Sequence, residues 1–84
     1  MNKRKRLDDA LFKKTKLQAY ERDGGLCVLC GRRAVEVHHI VFRSQLGTSE
    51  LSNLACLCRP CHDEAHGVMA KEIRKKLKEI INEQ

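Results

Sequence analysis

The chain has 84 residues with one tyrosine and two phenylalanines, and 17 lysines and arginines against 11 aspartates and glutamates give it a net charge of +6. A chain this short forms one small domain, and a core so poor in aromatic residues needs support from a cross-link or a bound metal. No apolar run approaches the ~18 residues of a membrane span, and an odd number of cysteines without an apolar leader does not fit a secreted disulfide framework. We therefore expect a soluble protein in the cytoplasm, or in the host cytoplasm if a phage encodes it.

The first half of the chain predicts an arm, a helix and a strand. Residues 1–6 are predicted to be a basic disordered arm, and residues 7–23 a helix that Gly24 and Gly25 end. A turn on the first cysteine pair then leads into a strand through residues 35–40, where apolar residues recur with period two. The candidates for the inner face of the helix are Leu7, Leu11, Leu17 and Tyr20.

The second half predicts a loop over residues 43–52, a second cysteine turn, a short helix ended by Gly67, and a last helix over residues 70–82. Apolar residues at helical spacing mark the inner face of that last helix. The order of elements predicts an α+β fold in which residues 7–84 form a single domain. The inner-face residues of the last helix are Ile73, Leu77, Ile80 and Ile81.

The excess positive charge is concentrated in "KRKR" at residues 3–6 and in "KKTK" at residues 13–16. Basic clusters of this kind favour a polyanionic partner such as nucleic acid. They are also found on helices that simply face solvent. Charge alone does not separate the two interpretations.

Two Cys-x-x-Cys pairs are the strongest chemical signal. Cys27 with Cys30 and Cys58 with Cys61 supply four thiols in two turns, a common way to build a tetrahedral Zn²⁺ site. A single redox pair, or buried thiols, would not explain the doubling. Cys56 competes with Cys58 as a ligand, but residues 58 and 61 repeat the spacing of residues 27 and 30, so Cys56 is interpreted as a small core residue.

All four histidines fall in two clusters, His38 with His39 and His62 with His66. Residues four apart on a helix share one face, where two imidazoles can bind one metal ion. His62 also follows Cys61 directly, so a metal-bound cysteine turn would fix the start of the helix that carries it. Adjacent strand residues point to opposite faces, so His38 and His39 can contribute to one site only near a strand end or a bend.

The segments "CVLC", "VHHIV", "LSNL" and "LCRPCH" occur in this order and together resemble the zinc-containing branch of the HNH endonuclease family, over residues 20–67. The resemblance implies a ββα-metal finger, here stapled by zinc and flanked by two helices. It implies an enzyme that hydrolyses phosphodiester bonds in DNA with one divalent ion, Mg²⁺, Mn²⁺, Ni²⁺ or Zn²⁺. Phe42 and Arg43 stand where many members have a proline.

The resemblance also implies roles for individual residues. His38 would bind the catalytic ion, His39 would be the general base, Asn53 would orient the loop of the base, and His62 would be a second ligand. His66 as a third ligand depends on its spacing from His62, because many members have a basic residue there. The residues that we expect to contact DNA, mainly at its phosphate backbone, are Lys3, Arg4, Lys5, Arg6, Arg43 and Arg59.

Two other functions fit part of the sequence. A non-catalytic zinc-ribbon module that binds nucleic acid would explain the cysteines and the charge, but not the histidines or Asn53. A zinc-stapled adaptor for protein partners would explain less still. The sequence is compatible with either a monomer or a homodimer.

Overall fold

The computed structural model describes the backbone of residues 3–83 and the side chains of residues 6–83. It has the predicted α+β architecture, with three α-helices and one two-stranded antiparallel sheet. In chain order the elements are α1 (Lys3–Asp23), β1 (Glu36–His39), β2 (Leu54–Leu57), α2 (Arg59–Ala65) and α3 (Ala70–Asn82). The last helix thus spans the predicted residues.

Helix α1 differs from the prediction in two ways. It begins at Lys3, so residues 3–6 are helical where the sequence predicts a disordered arm; lysine and arginine favour helices, which allows this extension. Its inner face was predicted correctly only in part: Tyr20 packs against the core, but Leu7 and Leu17 are 64% and 67% exposed. The residues that α1 buries are Thr15 and Ala19, whose small side chains allow the helix to lie close to the sheet.

The sheet separates two apolar clusters. In its register Glu36 pairs with Leu57, and His39 pairs with Leu54 at the opposite end. All four residues of β2 are buried, because α1 covers one face of the sheet and the helices α2 and α3 lie on the other side. The cluster beneath α1 consists of Ala19, Ala34, Leu54 and Cys56. The larger cluster consists of Cys27, Ile40, Ala55, Leu57, Cys58, Ala65, Ile73, Leu77 and Ile81.

A polar clamp attaches the end of α1 to β2. The carboxylate of Asp23, whose side chain is fully buried, accepts hydrogen bonds from Arg22 at 2.8 and 2.9 Å and from the backbone N–H of Cys56 at 3.1 Å. Arg22 also donates to the carbonyl oxygens of Leu51 (2.9 Å) and Leu54 (2.6 Å). Burial acts to raise the pKa of Asp23, but these hydrogen bonds outweigh it and the pKa is lowered. The clamp is therefore a fully hydrogen-bonded ion pair.

Replacing Arg22 with alanine should destabilise the domain by about 3–5 kcal/mol, because a buried charge that loses its partner is left uncompensated. The measurement is urea denaturation of the metal-loaded protein. The control is Arg33→Ala, which removes the same charge from an exposed position and should change stability by no more than about 0.5 kcal/mol. Equal effects of the two substitutions would contradict a stabilising role for the clamp.

The helices of residues 3–83 include none that is both long enough and apolar enough to cross a membrane.

Candidate metal centre and active site

The two cysteine pairs come together at the end of the sheet where β1 begins. A tight turn holds the first pair: the N–H of Cys27 donates to the carbonyl of Arg32 at 2.7 Å, and the N–H of Gly31, at φ +80°, donates to the carbonyl of Cys27 at 2.9 Å. Cys58 directly precedes α2, and Cys61 lies in its first turn. The Sγ atoms of Cys27, Cys30, Cys58 and Cys61 all lie within 4.8 Å of one another.

This cluster fits zinc. Tetrahedral Zn²⁺ with bonds of about 2.3 Å places its sulfur ligands roughly 3.8 Å apart, and the Sγ atoms of Cys30 and Cys58 are 3.4 Å apart. Burial opposes ionisation of Cys27, but hydrogen bonds from backbone groups lower the pKa of its thiol to about 7. The four cysteines therefore form a metal site of the kind that structural zinc occupies.

Cys56 is excluded from the cluster, as its sequence position predicts. It is fully buried on the α1 side of the sheet, and burial raises the pKa of its thiol to about 12. A thiol in this state packs as a small apolar side chain.

His38, His62 and His66 form a second cluster, on the face of the sheet away from α1. Their ring nitrogens lie within 4.8 Å of one another. The Nε2 atoms of His62 and His66 are 3.3 Å apart, which matches the separation of about 3.3 Å that two imidazole ligands have on a tetrahedral ion with bonds of about 2.0 Å. His62 lies in α2, and His66 directly follows the helix. The spacing of these two residues thus places both beside the strand residue His38.

His38 is 4% exposed. Burial lowers the pKa of its imidazole to about 4, and the charges of His62, His66, His39 and Arg74 act in the same direction. The ring is therefore neutral near pH 7, which is the form that binds metal ions.

His39 lies on the opposite face of β1, as strand geometry requires. Its ring is tilted against Phe12 of α1 at a centroid distance of 4.8 Å, and its Nε2 lies 2.9 Å from Ser49 Oγ. Burial and the charge of Arg43 lower the pKa of His39, whereas Asp8 acts to raise it. Because His39 is the last residue of the strand, it lines one open cleft of about 520 Å³ together with the three clustered histidines.

Asn53 closes the loop between the two strands. Its amide nitrogen donates to the carbonyls of Val41 (3.1 Å) and Thr48 (2.7 Å), and its amide oxygen accepts from the N–H of Val41 (2.9 Å). The loop leaves no space at Gly47, where a Cβ atom would lie 1.8 Å from the carbonyl oxygen of Val41. Asn53 therefore fixes both ends of the loop that follows His39.

The basic residues predicted to contact nucleic acid lie in different surroundings. Arg43 is paired with Asp8 at 3.3 Å and with Asp9 at 3.0 Å, so part of its charge is neutralised within the protein. Arg59 is largely exposed and lies 3.6 Å from Glu36. Arg6 is exposed, whereas the side chains of residues 3–5 lie outside the part of the chain described.

Four residues beside the histidines escaped the sequence analysis. A carboxylate oxygen of Glu36 lies 2.9 Å from Nε2 of His62; the position of Glu36 two residues before His38, on the same strand face, was a usable signal. Ser49 and Asp8 contact the His39 side of the strand, and Arg74 of α3 lies over the ring of Phe42 at 5.4 Å. No sequence pattern marks these three.

Phe42 connects Arg74 to the metal-ligand candidates. Its ring is stacked on His66 at a centroid distance of 4.8 Å and an interplanar angle of 10°, and it meets His38 edge-on at 5.7 Å. The Nε of Arg74 is buried and has no hydrogen-bond partner among the described side chains. Phe42 thus connects the histidine cluster to Arg74, and it places a guanidinium beside the cleft.

Comparison with known proteins agrees with this geometry. Residues 27–67, which include both cysteine pairs and all four histidines, match the family model described as HNH endonuclease. A comparison with curated proteins gave no match.

Proposed function

Because residues 27–67 match the HNH endonuclease family model, we propose that the protein is a metal-dependent endonuclease that hydrolyses phosphodiester bonds in DNA. The observation that carries the proposal is the convergence of three histidine ligand atoms within 4.8 Å, in a cleft that His39 also lines. A structural metal site alone would need only the cysteines.

The chemistry of phosphodiester hydrolysis assigns the imidazoles their roles. A water molecule must lose a proton as it attacks phosphorus, and His39, at the rim of the cleft, is the proton acceptor. His38, His62 and His66 hold the divalent ion, Mg²⁺, Mn²⁺, Ni²⁺ or Zn²⁺. When bound, such an ion supplies positive charge that stabilises the phosphorane and the leaving 3′-oxygen. Asn53 supports His39 by fixing the loop that follows it.

The four-cysteine site contributes positioning. Cys58 and Cys61 hold the start of α2, and His62 is the next residue along the chain. Zinc bound to the cysteines would therefore fix the helix that carries His62 and leads directly into His66. This is preorganisation of a reactive site by a structural metal.

Arginine and lysine side chains around the cleft are proposed to bind the DNA backbone. Arg43 lines the cleft itself. Arg74 is a second candidate, because its charge acts on His38 and its buried Nε has no hydrogen-bond partner among the described residues. Helix α3 continues this positive surface along a shallow groove of about 320 Å³ that also has Lys71, Lys75 and Lys78 in its lining. The residues expected from the sequence, Lys3, Arg4, Lys5, Arg6, Arg43 and Arg59, remain proposals.

A non-catalytic zinc-ribbon module that binds nucleic acid is the alternative. It accounts for the cysteines and the charge, but it gives no role to three imidazoles whose ring nitrogens are arranged around one point. An adaptor for protein partners leaves the same feature without a role. For the nuclease and for both alternatives, the proposed location is the cytoplasm, where thiols remain reduced and available to zinc.

Incubation of supercoiled plasmid with the metal-loaded protein tests the proposal. Nicked or linear product should form with Mg²⁺, Mn²⁺ or Ni²⁺ and should be absent when the divalent ion is omitted. Chelation with EDTA should stop the reaction. DNA binding without cleavage under all metal conditions would favour the non-catalytic alternative.

Affinity for DNA should depend on salt through the number of phosphates contacted, with a slope of log K against log salt of about −0.9 per contact on duplex DNA. Asp8 contacts Ser49 in the loop that follows His39, and the first turn of α1 directly precedes Asp8. Arg4 and Arg6 would therefore lie near DNA bound at the cleft, and replacing both with glutamine should make the slope shallower. Arg32 and Arg33 are the matched control, because they precede the opposite end of β1 and their replacement removes the same charge. Equal slopes for both double variants would show that residues 3–6 make no special contribution.

A further inference from the structure

A chain of hydrogen bonds joins His39 to α1. Nε2 of His39 lies 2.9 Å from Ser49 Oγ, which in turn lies 2.8 Å from Oδ2 of Asp8. The other carboxylate oxygen of Asp8 accepts a hydrogen bond from the backbone N–H of Ser49 at 2.7 Å. Asp8 therefore holds Ser49 with both oxygens, and Ser49 contacts the ring proposed to act as the base.

The number of protons available determines which atom donates in each of these hydrogen bonds. Burial acts to raise the pKa of Asp8, but hydrogen bonds from Ser49 and the charge of Arg43 lower it, so the carboxylate is ionised near neutral pH and can only accept. The single hydroxyl proton of Ser49 is therefore donated to Asp8. Ser49 Oγ must then accept from Nε2–H of His39, and its second lone pair accepts from Arg43 at 3.2 Å.

This arrangement selects one tautomer of neutral His39, with its proton on Nε2 and its lone pair on Nδ1. Among the side chains of residues 6–83, Nδ1 forms no hydrogen bond. The ring is also held by packing, because Phe12 lies against it at 4.8 Å. His39 is thus held in one orientation by two residues of α1 and by the loop residue Ser49.

Ser49 is itself immobilised. It is fully buried, and its carbonyl oxygen accepts a hydrogen bond from Thr15 Oγ1 at 2.6 Å. Helix α1 thus binds the N–H, the carbonyl and the hydroxyl of one residue. Only the hydroxyl reaches His39.

We propose that Asp8 and Ser49 are positioning residues that hold His39 with Nδ1 free to take a proton from the attacking water, so that α1, which precedes the matched residues 27–67, completes the active site. This inference rests on the proposed nuclease function. It adds to that function two residues that act through His39 and do not touch the substrate.

The tautomer can be measured without substrate. In ¹⁵N-labelled full-length protein with zinc bound, long-range ¹H–¹⁵N correlation spectra distinguish a protonated ring nitrogen from one that carries a lone pair. At a pH where His39 is neutral, Nε2 should be the protonated atom in the wild type, and Ser49→Ala should shift the ring toward a mixture of tautomers. A wild-type ring protonated on Nδ1 would overturn the inference.

Cleavage kinetics test the consequence. Ser49→Ala and Asp8→Asn should lower kcat by about 10- to 100-fold, as is usual when a residue that orients a functional histidine is removed, and should leave KM for DNA within about twofold. Two controls match these changes. Asp9→Asn removes the same charge from the next residue, which contacts Arg43 but not Ser49. Thr15→Val removes the other bond between α1 and Ser49 without touching His39.

The outcomes separate the inference from the function on which it rests. Both controls should keep kcat within about threefold of the wild type. If Thr15→Val lowers kcat as much as Ser49→Ala does, the contact is merely structural and the inference fails. An inactive wild type would overturn the proposed function, whereas an active wild type with the other tautomer would overturn only the positioning.

Discussion

Replacing His39 with alanine should slow DNA cleavage by about 10²- to 10⁴-fold, the usual contribution of a positioned proton acceptor. The substitution leaves the four cysteines and the basic residues in place, so folding and DNA affinity should change little. Single-turnover cleavage of a labelled duplex measures the chemical step, and fluorescence anisotropy in EDTA measures binding. A variant that loses binding and cleavage in equal proportion would contradict the role of His39 as a base.

Metal titration distinguishes His39 from its neighbours. His38→Ala and His62→Ala remove candidate ligands, so their defects should shrink as the concentration of added divalent ion rises. The defect of His39→Ala should persist at every metal concentration. The opposite pattern would show that the two adjacent imidazoles have exchanged roles, and losses that follow the melting temperature would show that all three residues serve only packing.

Removing zinc from the four-cysteine cluster should unfold the domain. Structural zinc contributes about 10–16 kcal/mol of coupled binding and folding in small domains, and the cluster includes Cys27 and Cys58 of the larger apolar core. We expect elemental analysis to find one tightly bound zinc per chain, and circular dichroism to show loss of helix when a strong chelator is added.

Cysteine substitutions test which thiols bind this zinc. Cys58→Ala should lose the metal, whereas Cys56→Ala should retain it, because Cys56 lies on the other side of the sheet. If Cys56→Ala lost zinc and Cys58→Ala retained it, the assignment of Cys58 as a ligand would be wrong. A folded, active protein without zinc would rule out the structural role of the metal.

The sequence predicts those parts of the site that consist of residues close together in the chain. Cys27 with Cys30 and His62 with His66 each lie within one turn of backbone, so their geometry follows from local structure. The convergence of the two cysteine pairs then follows from the requirement of one ion for four ligands. The family resemblance added the pairing of His38 with His62.

The contacts of α1 were not predictable in the same way. Asp8 meets Ser49 across 41 positions of sequence, and neither residue belongs to a periodic pattern or a spaced motif. The inner face of α1 was predicted only in part for a related reason. Apolar periodicity favours large side chains such as Leu17, whereas this helix packs through Thr15 and Ala19, whose small size matters only once the sheet beside it is known.

The packing of α1 on β2 determines the shortest segment of this protein that would fold when it is transferred to another protein. Residues 27–67 contain every cysteine and histidine, but excised alone they would expose Leu54 and Cys56, which Ala19 and its neighbours otherwise cover. They would also lack Ile73, Leu77 and Ile81 of α3, which complete the other apolar cluster. A module that carries the proposed nuclease activity to a DNA-targeting protein therefore needs α1 and α3 as well. Its linker belongs after α3, because a linker placed before α1 would end only a few residues from Asp8 and the cleft.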